Sequence, residues 1–272
     1  MLTRVHHVGL VVRRLDDGLA FWQGGLGLPV AKQATVLDQG VRAALLPIGR
    51  SEIELLEPID ATGGVAKFLE RRGEGLHHVC FETPDVGAEL ATARRQGLPL
   101  IDDAPRPGLA GMIAFLHPKG TCGVLVEFAT PPAGEHPHTR AGTGPLAGLA
   151  LDEVLVRTRG AARAAELFAA KLGLAFSDSA APGLAAAGVT VGGVRLTFLG
   201  ADPPSAAPEA AAAEAAPEGL AALVLEVDDV TAAAAALERF APAPDGRAIR
   251  LDAARCHGVP LSLHSPGAKH PA

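Results

Sequence analysis

The feature that most constrains this 272-residue chain is a repeat nested inside a repeat. Leu26-Gly27-Leu28 recurs as Leu172-Gly173-Leu174, Glu74-Gly75-Leu76 as Glu218-Gly219-Leu220, and Asp85-Val86 as Asp229-Val230, at offsets of 144 to 146 residues. The first half repeats again within itself. His6-His7-Val8 returns as His77-His78-Val79, 71 residues on, and IELLEP (53–58) returns as VEFATP (126–131), 73 residues on. Residues 1–60 and 74–131 therefore read as two copies of one unit, and the whole chain as four.

Each unit opens on a short β-rich run and continues into a helix. RVHHVGLVV and LHHVCFET are the opening strands. DDGLAFWQGGLGL and VGAELATARRQGL carry apolar residues at helical spacing and stop at glycine. Strands follow in VRAALLPIG and EIELLEP, then in GMIAFLHP and GVLVEFAT. The unit is βαβββ. The second half repeats it in VLVRT, a helix over 160–171, VRLTFLG, ALVLEV, a helix over 230–239, and VPLSLH. The fold class is α+β, built from tandem βαβββ modules. The domains are 1–130 and 149–267, joined by a Pro/Gly-rich linker over 131–148. The alanine- and proline-rich segment 201–218 predicts a mobile surface loop.

Composition removes several function classes. A net charge of -6 without a basic block gives no footprint for nucleic acid. No stretch approaches 18 uninterrupted apolar residues, so no membrane span is expected. The N-terminus lacks the pattern of a secretion signal, and the three cysteines are unpaired in spacing. Reduced thiols and a cytoplasmic location follow.

Chemistry enters through the inner repeat. Each unit of the first half places a histidine on its first strand and a glutamate on its last. If the two units pair about a pseudo-twofold axis, His7, Glu54, His78 and Glu127 converge. Two imidazoles and two carboxylates make a mixed N/O set for a borderline divalent metal, with room for a substrate oxygen. A lone histidine on an apolar strand is usually a packing residue. A glutamate inside VLVEFA is harder to dismiss, because a bare buried carboxylate costs several kcal/mol. His6 and His77, one residue before the ligands, are expected on the opposite strand face. Glu57 is expected at the strand mouth, His117 at a turn, and His136 and His138 in the solvated linker. In the second half the matching positions are Glu153, Thr197, Ala222 and Ser262, so no metal is expected there. That half should cover a face or edge of the first, making the chain an internal pseudo-dimer or, if it pairs further, a homodimer.

HHVGLVV with Leu26-Gly27-Leu28, then LLPIGRSEIELLEPI, RRGEGLHHVCFE and IAFLHPKGTCGVLVEF, together resemble the vicinal oxygen chelate (glyoxalase/bleomycin resistance/dioxygenase) superfamily, and within it the methylmalonyl-CoA epimerases. The resemblance spans residues 4–129. It implies modules that curl into cup-shaped sheets, two in the whole chain. It implies metal ligands at His7, Glu54, His78 and Glu127 and cobalt, manganese, nickel or zinc as the ion. It also implies proton removal next to a thioester carbonyl, with Glu127 and Glu54 as the catalytic groups and a small molecule such as an acyl-CoA thioester as partner. Two positions depart from the pattern. Ala43 stands where some epimerases carry a further glutamate, and the glycine turn before the IAF strand is shortened to Gly108-Leu109-Ala110-Gly111. A lactoylglutathione-lyase type of isomerisation and a non-catalytic, resistance-type binding module stay open as alternatives.

Overall fold

A computed structural model describes residues 1–134, 142–177, 185–200, 217–245 and 248–267. The first half runs β1 (Arg4–Val11), α1 (Leu15–Trp22), β2 (Lys32–Val36), β3 (Val41–Ile48), β4 (Ser51–Pro58), α2 (Gly64–Arg72), β5 (Gly75–Glu82), α3 (Val86–Arg95), β6 (Arg106–Gly108), β7 (Gly111–Leu116) and β8 (Leu125–Thr130). The second runs β9 (Ala150–Arg157), α4 (Ala161–Leu172), β10 (Ala175–Ser177), β11 (Ala185–Val191), β12 (Val194–Gly200), β13 (Gly219–Glu226), α5 (Val230–Ala236), β14 (Ala243–Asp245), β15 (Ala248–Leu251) and β16 (Leu261–His264). These are the tandem βαβββ modules of an α+β fold.

Two eight-stranded sheets result, ordered β2-β3-β4-β1-β5-β8-β7-β6 and β10-β11-β12-β9-β13-β16-β15-β14. Each order reads the same from both ends when units are exchanged. β1 and β5 pair antiparallel at the centre with Val8 opposite Val79, while β4 and β8 flank them in parallel. The pseudo-twofold passes between those valines.

The outer repeat has physical causes. Asp85 and Asp229 are helix N-caps: Asp85 accepts from the Ala88 N–H at 3.0 Å, and Asp229 from those of Thr231 and Ala232 at 2.9 and 3.0 Å. Gly27 and Gly173 turn the chain in the left-handed region, with φ of 72° and 69°, between leucines that are all buried. Gly75 and Gly219 mark where the halves meet. A Cβ on Gly75 would stand 3.2 Å from the Gly258 carbonyl oxygen, and one on Gly219 3.2 Å from that of Gly123. Gly258 is the repeat mate of Gly123, so the contacts are reciprocal, as across an isologous dimer interface. His257 Nδ1 lies 3.2 Å from Glu74, and Phe21 packs edge-on against Phe240 at 5.0 Å. One continuous core joins the halves, with Val8, Val79, Phe81 and Phe128 from the first sheet and Val154, Phe198, Leu223 and Leu263 from the second. Each such burial contributes roughly 1.5–3 kcal/mol.

Several details differ from the sequence reading. α2, β2 and β6 are elements that the sequence pattern does not mark. The helix expected over 230–239 ends at Ala236 and gives way to a 3-10 turn, Glu238–Phe240. Within the linker, Gly144–Leu146 form a 3-10 turn with Leu146 buried. Residues 135–141 of the linker, with His136 and His138, and most of the 201–218 segment lie outside the described residues. Among the described residues no helix is long and apolar enough to cross a membrane.

Candidate metal centre

The four central strands of the first sheet each deliver one side chain to a single point. His7 comes from β1, Glu54 from β4, His78 from β5 and Glu127 from β8. The register explains the convergence. Gly9 lies beside both Glu54 and His78, and Cys80 lies beside both His7 and Glu127. His7 and Gly9, like His78 and Cys80, are two apart and share a face. His7 Nε2 is 3.0 Å from His78 Nε2, 3.0 Å from Glu127 Oε2 and 3.4 Å from Glu54 Oε2. His78 Nε2 is 2.9 Å from Glu127 Oε2 and 3.4 Å from Glu54 Oε2. All four residues are buried.

These spacings fit a metal ion. Bonds of about 2.1 Å put neighbouring donors about 3.0 Å apart at right angles and about 3.4 Å apart at the tetrahedral angle. The donor set also suits a divalent cation, which would balance two buried carboxylates. Without an ion, the imidazoles do the balancing. Burial alone would raise the Glu127 carboxyl, but His7 and His78 outweigh it and hold it at about 2; Glu54 is held low in the same way. Burial would lower His78, yet Glu127 and Glu54 raise it above its ordinary value. Burial pushes the Cys80 thiol up to about 12, so it stays protonated beside His7.

Gly9 makes room for the cluster. A Cβ there would fall within 2.7 Å of His78 Nε2 and overlap the rest of the ring. His6 and His77 do not point to the opposite face as expected. β1 and β5 each carry a bulge: Val5 faces Phe81 and His7 faces Cys80, leaving His6 over, while Gly9 faces His78 and Leu10 faces Leu76, leaving His77 over. The extra residue breaks the alternation and lays each histidine against its ligand neighbour, Nδ1 to Nδ1 at 2.9 Å.

Beyond the cluster opens a cavity of about 740 Å³ that Glu54, His78 and Glu127 floor. Leu56, Val65, Phe68, Leu109, Ile113 and Phe115 line it with apolar surface, and Lys67, Arg71, Arg72 and Arg106 add cations. His117 also lines it, and its Nδ1 accepts from the Lys119 N–H at 3.1 Å. Ala43 is buried with Val11, Val41, Leu45 and Leu56. Glu57 serves the frame instead. It accepts from the Leu15 N–H at 2.7 Å, at the start of α1, and from Arg42 at 3.1 Å. The sequence reading did not single out Phe68, Phe115 or the cations of α2; FLERR just before Gly73 was the available signal.

The second sheet shows the alternative. Its register places Glu153, Thr197, Ala222 and Ser262 at the four equivalent points, and Leu155 at that of Gly9. Glu153 is buried, accepts from the Thr197 hydroxyl, and has Arg195 Nε 3.7 Å away.

Sheets of paired βαβββ modules with ligand residues on the central strands define a class. Two family profiles match the chain, at residues 6–116 and 150–241, and both describe the Glyoxalase/Bleomycin resistance protein/Dioxygenase superfamily. The chain belongs to that superfamily. Among its relatives, the Bacillus subtilis (strain 168) uncharacterized protein YqjC is 38% identical over 50% of this chain and 97% of its own. Human mitochondrial methylmalonyl-CoA epimerase is 30% identical over 47% of this chain and 73% of its own. A variant of Streptomyces coelicolor methylmalonyl-CoA epimerase, solved in complex with 2-nitronate-propionyl-CoA, is 40% identical over 50% of this chain and all of its own, with a TM-score of 0.49. Each of these relatives is matched over about half of the present chain.

Proposed function

We propose that residues 1–130 form a divalent-metal-dependent isomerase that removes a proton from the carbon next to a thioester carbonyl, in the manner of the methylmalonyl-CoA epimerases. Residues 149–267, reached through the 131–148 linker, are a degenerate copy that binds no metal. The observation that carries this reading is the buried two-imidazole, two-carboxylate cluster at the floor of a cavity. His7, Glu54, His78 and Glu127 would hold cobalt, manganese, nickel or zinc, which acts when bound as a Lewis acid toward the substrate carbonyl. Glu127 and Glu54 stand on opposite sides of the pseudo-twofold. One carboxylate takes the α-proton as the C–H bond breaks and its electron pair moves into the carbonyl; return of a proton from the other side inverts the centre. The apolar walls exclude water from the reacting carbon. Lys67, Arg71, Arg72 and Arg106 suit a substrate with an anionic tail, as an acyl-CoA has.

The test is exchange of the α-proton into deuterated solvent with methylmalonyl-CoA and a small panel of acyl-CoA thioesters. Glu127→Gln should lower metal-dependent exchange at least about 100-fold; unchanged exchange refutes the assignment. A second reading is favoured by Ala43, which is buried among apolar side chains and leaves acid–base work to Glu54 and Glu127 alone. That is the economy of a glyoxalase-type isomerisation, in which one carboxylate moves a proton between adjacent carbons. Turnover of a hemithioacetal with no exchange on any acyl-CoA selects it.

A further inference from the structure

Each ligand histidine follows another histidine, and the structure gives the two pairs one geometry. His6 and His77 are the extra residues of the two bulges. Each lays its ring nearly perpendicular to the next, at 85° and 82°, with centroids 5.1 and 5.2 Å apart. In both pairs the close contact is Nδ1 to Nδ1, at 2.9 Å. Two ring nitrogens at that distance share one proton: one donates and the other accepts. The Nε2 atoms of His7 and His78 point into the four-residue cluster, 3.0 Å from each other. A neutral imidazole that offers Nε2 to a metal carries its proton on Nδ1. The donor is then the ligand histidine and the acceptor its predecessor.

We propose that His6 and His77 are positioning residues that hold His7 and His78 in the Nδ1–H form, so that both present the Nε2 lone pair to the metal; this rests on the metal-centre reading above. Competing acceptors are weaker. Glu52 Oε2 is 3.6 Å from His6 Nδ1, beyond hydrogen-bond reach, and the Cys80 thiol is a poor acceptor. A neutral acceptor also has an electrostatic use. Two glutamates already balance a divalent ion, and carboxylates in place of His6 and His77 would leave the centre with excess negative charge facing an incoming substrate oxygen.

The second half supplies an internal control. Its central strands keep both bulges, between Leu220 and Ala222 and opposite Asp152, yet the bulged residues are Ala221 and Asp152. The backbone irregularity therefore does not depend on histidine. The histidines occur where the four-donor cluster does.

The experiment measures zinc affinity of the full chain by competition with a chromophoric chelator, and ring tautomers of the zinc-loaded protein by long-range ¹H–¹⁵N correlation. His6→Phe and His77→Phe keep ring bulk and remove the acceptor; each should weaken zinc binding about 10- to 100-fold. His6→Asn and His77→Asn, whose Oδ1 takes the place of Nδ1, should restore most of it. The wild-type spectrum should show the proton on Nδ1 of His7 and His78 and on Nε2 of His6 and His77. Phenylalanine variants that bind zinc as tightly as wild type, or a spectrum with protons on Nε2 of His7 and His78, overturn the pairing and leave the metal centre standing. A wild-type chain that takes up no zinc overturns both.

Discussion

Replacing Gly9 with alanine adds one methyl group and tests whether the site depends on an absence. The Gly9 backbone lies outside the left-handed region, so alanine adds no backbone strain. Its Cβ would reach within 2.7 Å of His78 Nε2 and overlap the ring. That ring has little freedom, with Phe115 edge-on at 5.4 Å and His77 at 5.2 Å. Overpacking of this kind costs about 1–3 kcal/mol. In the metal-free protein the ring can swing partly aside; with metal bound it must return. The strain then falls on metal affinity, a loss of about 5- to 150-fold. The assay is zinc titration of Gly9→Ala, with urea unfolding in chelator of Gly9→Ala, His78→Ala and the double variant. On the His78→Ala background the added methyl meets no ring, so its cost should vanish. Costs equal on both backgrounds to within about 0.5 kcal/mol, or an unchanged zinc affinity, would falsify the steric argument.

Two further predictions concern charge and stoichiometry. In chelator, the depressed carboxyls of Glu54 and Glu127 contribute stability above their unfolded range of about 4.3, lost as pH falls toward about 2, where Glu127 titrates. The raised His78 and His7 contribute stability in full below about pH 6.5, lost as pH rises through their elevated folded values. Metal-free Tm should therefore peak in mildly acidic buffer and decline on the alkaline side, and zinc should abolish that decline; a metal-free Tm that is flat from about pH 5 to pH 9 contradicts the charge balance described. Elemental analysis should find one divalent ion per chain, unchanged in Thr197→Val; two ions, or loss of metal in that variant, would place a centre in the second half.

What the sequence disclosed depended on periodicities that survive in it. The nested repeat carried the module count, the sheet pairing and the four converging side chains, because a matched offset constrains position whatever the local pattern. It could not disclose the bulges. β1 is buried along its whole length, so hydrophobic alternation, which would have betrayed the extra residue, is absent from it. Strict alternation then put His6 on the wrong face. The missed elements have weak signals for other reasons: β2 is mostly exposed, β6 is three residues including Pro107, and α2 has no buried residue to set a helical period. The role of Gly9 is invisible locally, since the ring it accommodates lies 69 residues away.

The two halves still share the residues that build the frame, and they differ at the residues that build the site. Leucines around a left-handed glycine, aspartate caps and the glycines of the reciprocal interface recur at the outer offset. The four ligand positions do not. The difference is physically self-consistent in each half. Where His78 folds over Gly9 in the first, Leu155 fills the same space over Ala222 in the second, so the centre of the sheet stays packed either way. Where His7 and His78 balance two carboxylates in the first, Thr197 and Arg195 attend the single buried Glu153 in the second. The module therefore does not need a metal to fold, and the ligand set is an overlay on a frame that closes without it. That independence lets one half keep the cluster while the other, with the same frame and a reciprocal interface, supplies the back of the shared core.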